Sequence, residues 1–233
     1  MAINIYMDTE NWNNYGKFMD GKYHRSNLLY TPKMNTSKDI LCMSWDANDP
    51  YQLDNGNPRN GFNNELIEYF FSRELMNINI FKNYSWSPDF LEIDTDNKKI
   101  FFEWNSETCN DIINKGGKLE EFCPNWKEQL FCILNDIIDS GYYKMSLYPH
   151  CFFINKLGIL KTFDFYACIE INNPFLKLSR LTGMMGEDSS GRFKEAIDGD
   201  SVNFELFFKQ AIKSYIKWPE DALNEFYWKK FNE

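Results

Sequence analysis

Ser146, Cys151 and Asp164 fall in one stretch, "SLYPHCFFINKLGILKTFDFYAC", residues 146–168. An aspartate that follows an apolar strand either caps a turn or holds its carboxylate toward a metal or a phosphate. The pattern before Asp164, two apolar runs on either side of Gly158, reads as a hairpin and favours the second role. Ser146 is no general base at neutral pH. Its hydroxyl proton is not freely lost, and the residues beside it offer no activating His–Asp pair. Cys151 is a poor nucleophile, because Phe152 and Phe153 raise a thiol pKa rather than lower it. His150 reads either as a base or as a hydrogen-bonded structural histidine.

A second set of carboxylates lies upstream. "SPDFLEIDTDNKKIFFEWN" places Asp89 and Glu103 on two apolar runs joined by a turn. Carboxylates on adjacent strand centres can share a metal, and Glu65 in the preceding segment could complete the cluster. Zinc is not expected. Six cysteines occur without a C-x-x-C pair, with only two histidines, His24 and His150.

The elements that must position these residues follow from pattern. "SNLLYTP" (26–32) and "DILCMSWD" (39–46) read as an antiparallel pair joined by a turn, "KMNTSK". Residues 47–61, dense in Asn, Asp, Pro and Gly, read as an exposed loop. Asn63 or Asn64 then caps a helix, "ELIEYFFSRELM", with Leu66, Phe70 and Leu75 on one side. A hairpin follows at 89–104. "NWKEQLFCILNDIIDSG" (125–141) has Leu130, Ile133, Leu134, Ile137 and Ile138 at helical spacing and ends on Gly141. After the hairpin at 146–168 the remainder reads as helical, most strongly at 204–216. Strands first and helices later indicate an α+β protein, with a sheet lobe at 1–105 and a helical lobe at 106–233.

This order resembles the protein-kinase-like fold, including its aminoglycoside phosphotransferase and choline kinase branches. Setting Asp164-Phe165-Tyr166 on the D-F-G motif puts Ser146 at the catalytic Asp of H-R-D-L-x-x-x-N and Cys151 at its metal-binding Asn. Leu147 falls on the motif Leu. "GKYHRSNLLY" (21–30) resembles the nucleotide loop of choline-kinase-like proteins. The resemblance therefore implies Lys22, Arg25, Ser26 and Asn27 as nucleotide contacts. It implies Asp164 as a metal ligand, with the Cys151 ligand position degenerate. "LCMSW" resembles the third strand, where Ser44 or Trp45 replaces the expected Lys, and Glu65 or Glu68 is its helix glutamate partner. Position 150 in such a loop points away from the phosphates, which favours the structural histidine.

Phosphoryl transfer needs two magnesium anchors, a phosphate-clamping Lys and a hydroxyl-orienting Asp. Loss of a positioned base alone reduces rate by about 10²–10⁴. The expectation is a pseudokinase with no catalytic residue, a binding or regulatory module whose use of Mg and ATP is weak or absent. One alternative is an atypical phosphotransferase that recruits other pocket residues such as Lys17, Lys22 or Asp46. Another is a nuclease: Pro88-Asp89 and Glu103-Trp104-Asn105 resemble the P-D…(D/E)-x-K hairpin of restriction-like endonucleases, with Asn105 replacing the Lys. The chain also loosely resembles uncharacterised tailed-phage proteins.

Bulk properties narrow the class. At 233 residues, 43% hydrophobic and 18% aromatic, the chain can bury a sizeable core. A formal charge of −9 argues against broad neutralisation of nucleic-acid phosphates. No run approaches the ~18 apolar residues of a membrane span, and the start is not a signal peptide. Buried, reduced thiols in a cytoplasmic protein are expected. Trp218, Tyr227 and Trp228 either seal the helical lobe or dock a protein partner, including a second copy as a homodimer.

Overall fold

The computed structural model describes residues 13–14, 33–37, 39–45, 53–54, 57–58, 64–105, 107–144, 146–171, 197–198, 201–202, 205–206, 208–209, 212 and 218–232. It is α+β, and its described residues fall into two compact units, one ending at 105 and the other starting at 107.

The first unit is built on an antiparallel sheet. Its strands are β1 (Asn13–Asn14), β2 (Lys33–Ser37), β3 (Ile40–Ser44), β6 (Phe90–Asp94) and β7 (Lys99–Glu103), in the order β1-β2-β3-β7-β6. A two-stranded pair, β4 (Leu53–Asp54) with β5 (Asn57–Pro58), lies within the segment expected as loop. The expected turn at 33–38 is corrected. Ser37 pairs with Ile40. The connection is therefore two residues, and the polar run before it is itself a strand. Helix α1 (Asn64–Phe81) is longer than its pattern suggested. It buries Phe70, Phe71, Glu74, Ile78 and Phe81, a stripe at helical spacing. The β6–β7 turn is tied by Asp94, whose carboxylate accepts from the Asn97 amide N–H at 3.0 Å and from its Nδ2 at 2.7 Å. Those bonds, the side-chain one foremost, hold the Asp94 carboxyl below the usual carboxylate range.

The second unit begins with α2 (Cys109–Asn114), six residues with a complete capping box. The Thr108 hydroxyl accepts from the Asp111 N–H, and the Asp111 carboxylate accepts from the Thr108 N–H. Helix α3 (Trp126–Asp139) buries Leu130, Ile133, Leu134 and Ile137 as its pattern predicts and Trp126 besides, whereas Ile138 of the expected stripe is only half-buried; Gly141 follows at φ +86°. Two short antiparallel pairs come next. They are β8 (Tyr142–Lys144) with β11 (Cys168–Glu170), and β9 (Phe152–Ile154) with β10 (Leu160–Thr162). The expectation that the chain beyond 168 is helical is corrected by β11 and by a further pair, β12 (Ile197–Asp198) with β13 (Ser201–Val202). Residues 205, 206, 208, 209 and 212 are helical.

Helix α4 (Ala222–Asn232) closes the chain. Trp218 lies before it, stacked on Trp126 at 5.7 Å with 10° between the rings and edge-on to Phe152 at 5.1 Å. Its indole N–H donates to the Leu147 carbonyl at 2.7 Å. Ion pairs join the same region to α3. Lys127 meets Glu220 at 3.2 Å and Glu225 at 2.5 Å, and Lys230 meets Asp139 at 2.9 Å. Phe226 is buried, whereas Trp228 is 61% exposed. No helix among the described residues is long and apolar enough to cross a membrane.

Candidate functional site

The β8–β11 and β9–β10 pairs bring Ser146, Cys151 and Asp164 together. Pro149 opens a 3-10 turn, Pro149–Cys151, that delivers Cys151 to the start of β9. The Cys151 carbonyl accepts the Thr162 hydroxyl at 2.9 Å and the Phe163 N–H at 3.2 Å, which fixes β10 against it. Asp164 then leaves β10 in the left-handed region, φ 69° and ψ 54°. A non-glycine residue there stores about 1–3 kcal/mol of strain and persists only where its surroundings over-determine it. Aspartate enters this region more readily than most residues, and Lys98, Glu220 and Asp221 also have positive φ, so the conformation bears on the site only together with the contacts that hold it.

Asp164 is buried, 4% exposed. Its Oδ2 accepts the Cys151 thiol at 3.5 Å, and its Oδ1 has no hydrogen-bond partner. Burial pushes its carboxyl above the usual carboxylate range, against the opposing pull of Lys144, Ser146 and Cys151. Burial also pushes the Cys151 thiol well up, and the Asp164 carboxylate adds to this. Cys151 is therefore a thiol donor to Asp164, not a thiolate.

Lys144 is the member of this group that the sequence reading passed over. It is 1% exposed. Its ammonium donates to the Phe163 carbonyl at 2.7 Å, the Asp164 carbonyl at 3.1 Å and the Ser146 hydroxyl at 3.3 Å. A lysine has three N–H donors, and these three acceptors use them all. The Phe152 and Phe165 rings lie 5.8 and 5.6 Å from the ammonium and add cation–π attraction. Ser146 in turn donates to the Asp164 carbonyl at 3.3 Å. The signal available in sequence was a lysine between Tyr143 and Leu147 on an otherwise apolar strand. Lysine is so seldom buried that the pattern did not mark it.

The other candidates are placed as follows. Lys22, Arg25, Ser26, Asn27, Lys17 and Asp46 lie outside the described residues, as does the side chain of Glu65. Glu68 is 58% exposed and pairs with Lys98 at 2.8 Å. The buried glutamate of α1 is Glu74, 2% exposed. Ser44 and Trp45 are both buried at the end of β3, Trp45 against Phe71 at 5.4 Å. His150 stacks on Tyr148 at 4.9 Å. Asp89 and Glu103 face each other across the hairpin. The Glu103 N–H donates to the Asp89 carbonyl at 3.0 Å, and the Asp89 N–H donates to Glu103 Oε1 at 3.3 Å. Among the described residues, no three His, Cys, Asp or Glu side chains gather so as to hold a metal ion.

No family model matches the chain. No curated protein matches it either. Solved structures do. The crystal structure of monomeric WbdD aligns with TM-score 0.44 and 14% identity, over 87% of this chain and 48% of that one. A structure of the bifunctional kinase-methyltransferase WbdD aligns with TM-score 0.44 and 12% identity, over 95% of this chain and 51% of that one. The chain thus spans about half the length of these proteins.

Proposed function

We propose that the protein is a catalytically degenerate kinase-like protein that acts as a binding or regulatory module, with the Asp164 cluster as the remnant of a phosphotransfer site. The observation that carries this reading is the commitment of the polar groups around Asp164 to one another. Ser146 and Cys151, the residues at the two anchor positions, do lie against Asp164. Neither supplies charge: one is a hydroxyl, the other a thiol that keeps its proton and donates it in a hydrogen bond to the carboxylate. Lys144, the cation in this hydrogen-bonded cluster among the described residues, spends its donors on main-chain carbonyls and Ser146, so none is left to clamp a phosphate. Among the described residues of this cluster, a phosphoryl group would meet no general base and no free electrostatic partner, the two contributions such chemistry depends on. Among the described residues, the sheet of the first unit with helix α1 between β3 and β6 supports the element order of this reading.

The test is ATP turnover by the full chain with magnesium, beside a thermal-shift titration with ATP. The expected result is no phosphate release above that of Asp164→Asn and a small or absent shift. A true binder at a ligand concentration of 100 Kd would gain about 2.7 kcal/mol. Asp164-dependent turnover would overturn the proposal in favour of an atypical phosphotransferase. The nuclease reading draws on the facing Asp89 and Glu103, and metal-dependent DNA cleavage lost in Asp89→Asn would favour it instead.

A further inference from the structure

Lys144 changes what the Asp164 site can bind. The kinase-like reading implies magnesium beside Asp164, and the groups present do not fit that ion. Magnesium demands near-octahedral oxygen coordination at about 2.0–2.1 Å and is held through carboxylates and phosphates. Here the Oδ2 of Asp164 already accepts a thiol proton from Cys151. The thiol offers sulfur, a donor suited to softer metals. The Ser146 hydroxyl sits between the Lys144 ammonium and the Asp164 carbonyl. Only Oδ1 of Asp164 lacks a partner, and one oxygen is one ligand. A positive charge is also present already. The Lys144 ammonium is fixed by two carbonyls, a hydroxyl and two aromatic faces, so a divalent ion would enter against its repulsion where both Lys144 and Asp164 are buried from solvent.

We infer that Lys144 is a built-in cation that takes the place of the metal ion, so that the Asp164 site excludes divalent cations. The ammonium also does a positioning task that a diffusible ion would not. By bonding both the Phe163 and Asp164 carbonyls it pins the left-handed turn and keeps the carboxylate aimed inward. The inference rests on the kinase-like reading only for the expectation that a metal belongs there.

The probe is Mn²⁺, titrated into the full chain and followed by electron paramagnetic resonance. Wild type and Asp164→Asn are expected to bind Mn²⁺ alike, at weak surface carboxylates only. Lys144→Met removes the resident charge. It is expected to gain a Mn²⁺ site at least about tenfold tighter than any in wild type, and Lys144→Met/Asp164→Asn is expected to lose it. If Lys144→Met does not fold, Lys144→Gln keeps an amide donor for one carbonyl and serves in its place. A wild-type chain that holds one Mn²⁺ lost in Asp164→Asn overturns the inference, as does a folded Lys144 variant that gains no site. Turnover of ATP would instead overturn the proposed function, so the two failures are distinguishable: an inert chain that binds Mn²⁺ at Asp164 sinks this inference alone.

Discussion

The role of Asp164 can be measured through pH and that of Lys144 through packing. The Asp164 carboxyl is raised by burial, so the folded chain holds its proton more tightly than the unfolded chain does. Below about pH 4, near the ordinary Asp value, both states are protonated and the group adds no pH dependence. As pH rises, the unfolded chain releases its proton first, and stability falls until the folded carboxyl also ionises. Urea unfolding of wild type minus Asp164→Asn should therefore decline above about pH 4, by no more than about 1.4 kcal/mol per pH unit, then level off; a difference that is flat or rises would refute the raised carboxyl. Lys144→Met removes the charged donor from the Phe163 and Asp164 carbonyls, which keep only the longer contacts of the Thr162 and Ser146 hydroxyls at 3.4 and 3.3 Å, and a loss of about 1.5–3 kcal/mol is expected, the range for a hydrogen bond to a charged group. A loss under 1 kcal/mol in chemical denaturation would mean that water or a neighbour replaces the ammonium. The cysteines give a third check. Five are buried and Cys132 is exposed, and burial pushes the Cys42 thiol up to about 12. A disulfide reagent should titrate one thiol in the native protein and six after denaturation.

Short elements carry the site, and their legibility in sequence varied for physical reasons. Helix α3 was plain because one continuous apolar stripe, Leu130 to Ile137, meets the core along its whole length. The β6–β7 and β9–β10 hairpins were plain because each has two apolar runs and a turn. Strand β2 was hidden: Lys33–Ser37 is polar and reads as a turn, and it is a strand because it pairs with the buried β3. Helix α2 was hidden by its length, since six residues give no period. Its Thr108 and Asp111 do form the capping box that marks a helix start. Thr108→Ala should therefore cost about 1 kcal/mol, within a range of about 0.5–2, in equilibrium unfolding. A neutral substitution would show that α2 is held by its contacts and not by its cap. The closeness of Ser146, Cys151 and Asp164 was expected from the resemblance to a kinase catalytic hairpin, whereas the burial of Lys144 and Glu74 was not. Phe163 and Asp164, the partners of Lys144, lie far along the chain, and residue type argues against burial for both Lys144 and Glu74.

At the scale of the whole molecule, the end of the chain is structural. Trp218, Ala222, Leu223 and Phe226 are all buried, so truncation after Lys217 removes core. Loss of one large aromatic side chain costs about 3–5 kcal/mol, against a typical total stability of about 5–15. The truncated chain should unfold or melt far below the full one, and a truncation that melts unchanged would return the segment to the status of a docking arm. Trp228 is the exposed aromatic left for a partner or a second copy. Sedimentation of wild type and Trp228→Ala tests self-association there, with a difference expected only if this ring makes the contact. The way the segment is fastened has one more consequence. Its two kinds of clasp respond to different conditions. The Lys127 and Lys230 pairs lie at the surface and contribute at most about 1 kcal/mol each, a share that added salt screens. The stacked indoles and buried Phe226 hold by apolar contact, which salting-out ions strengthen and chilling weakens. Concentrated sulfate should therefore leave the chain end in place, and cold should be what loosens it.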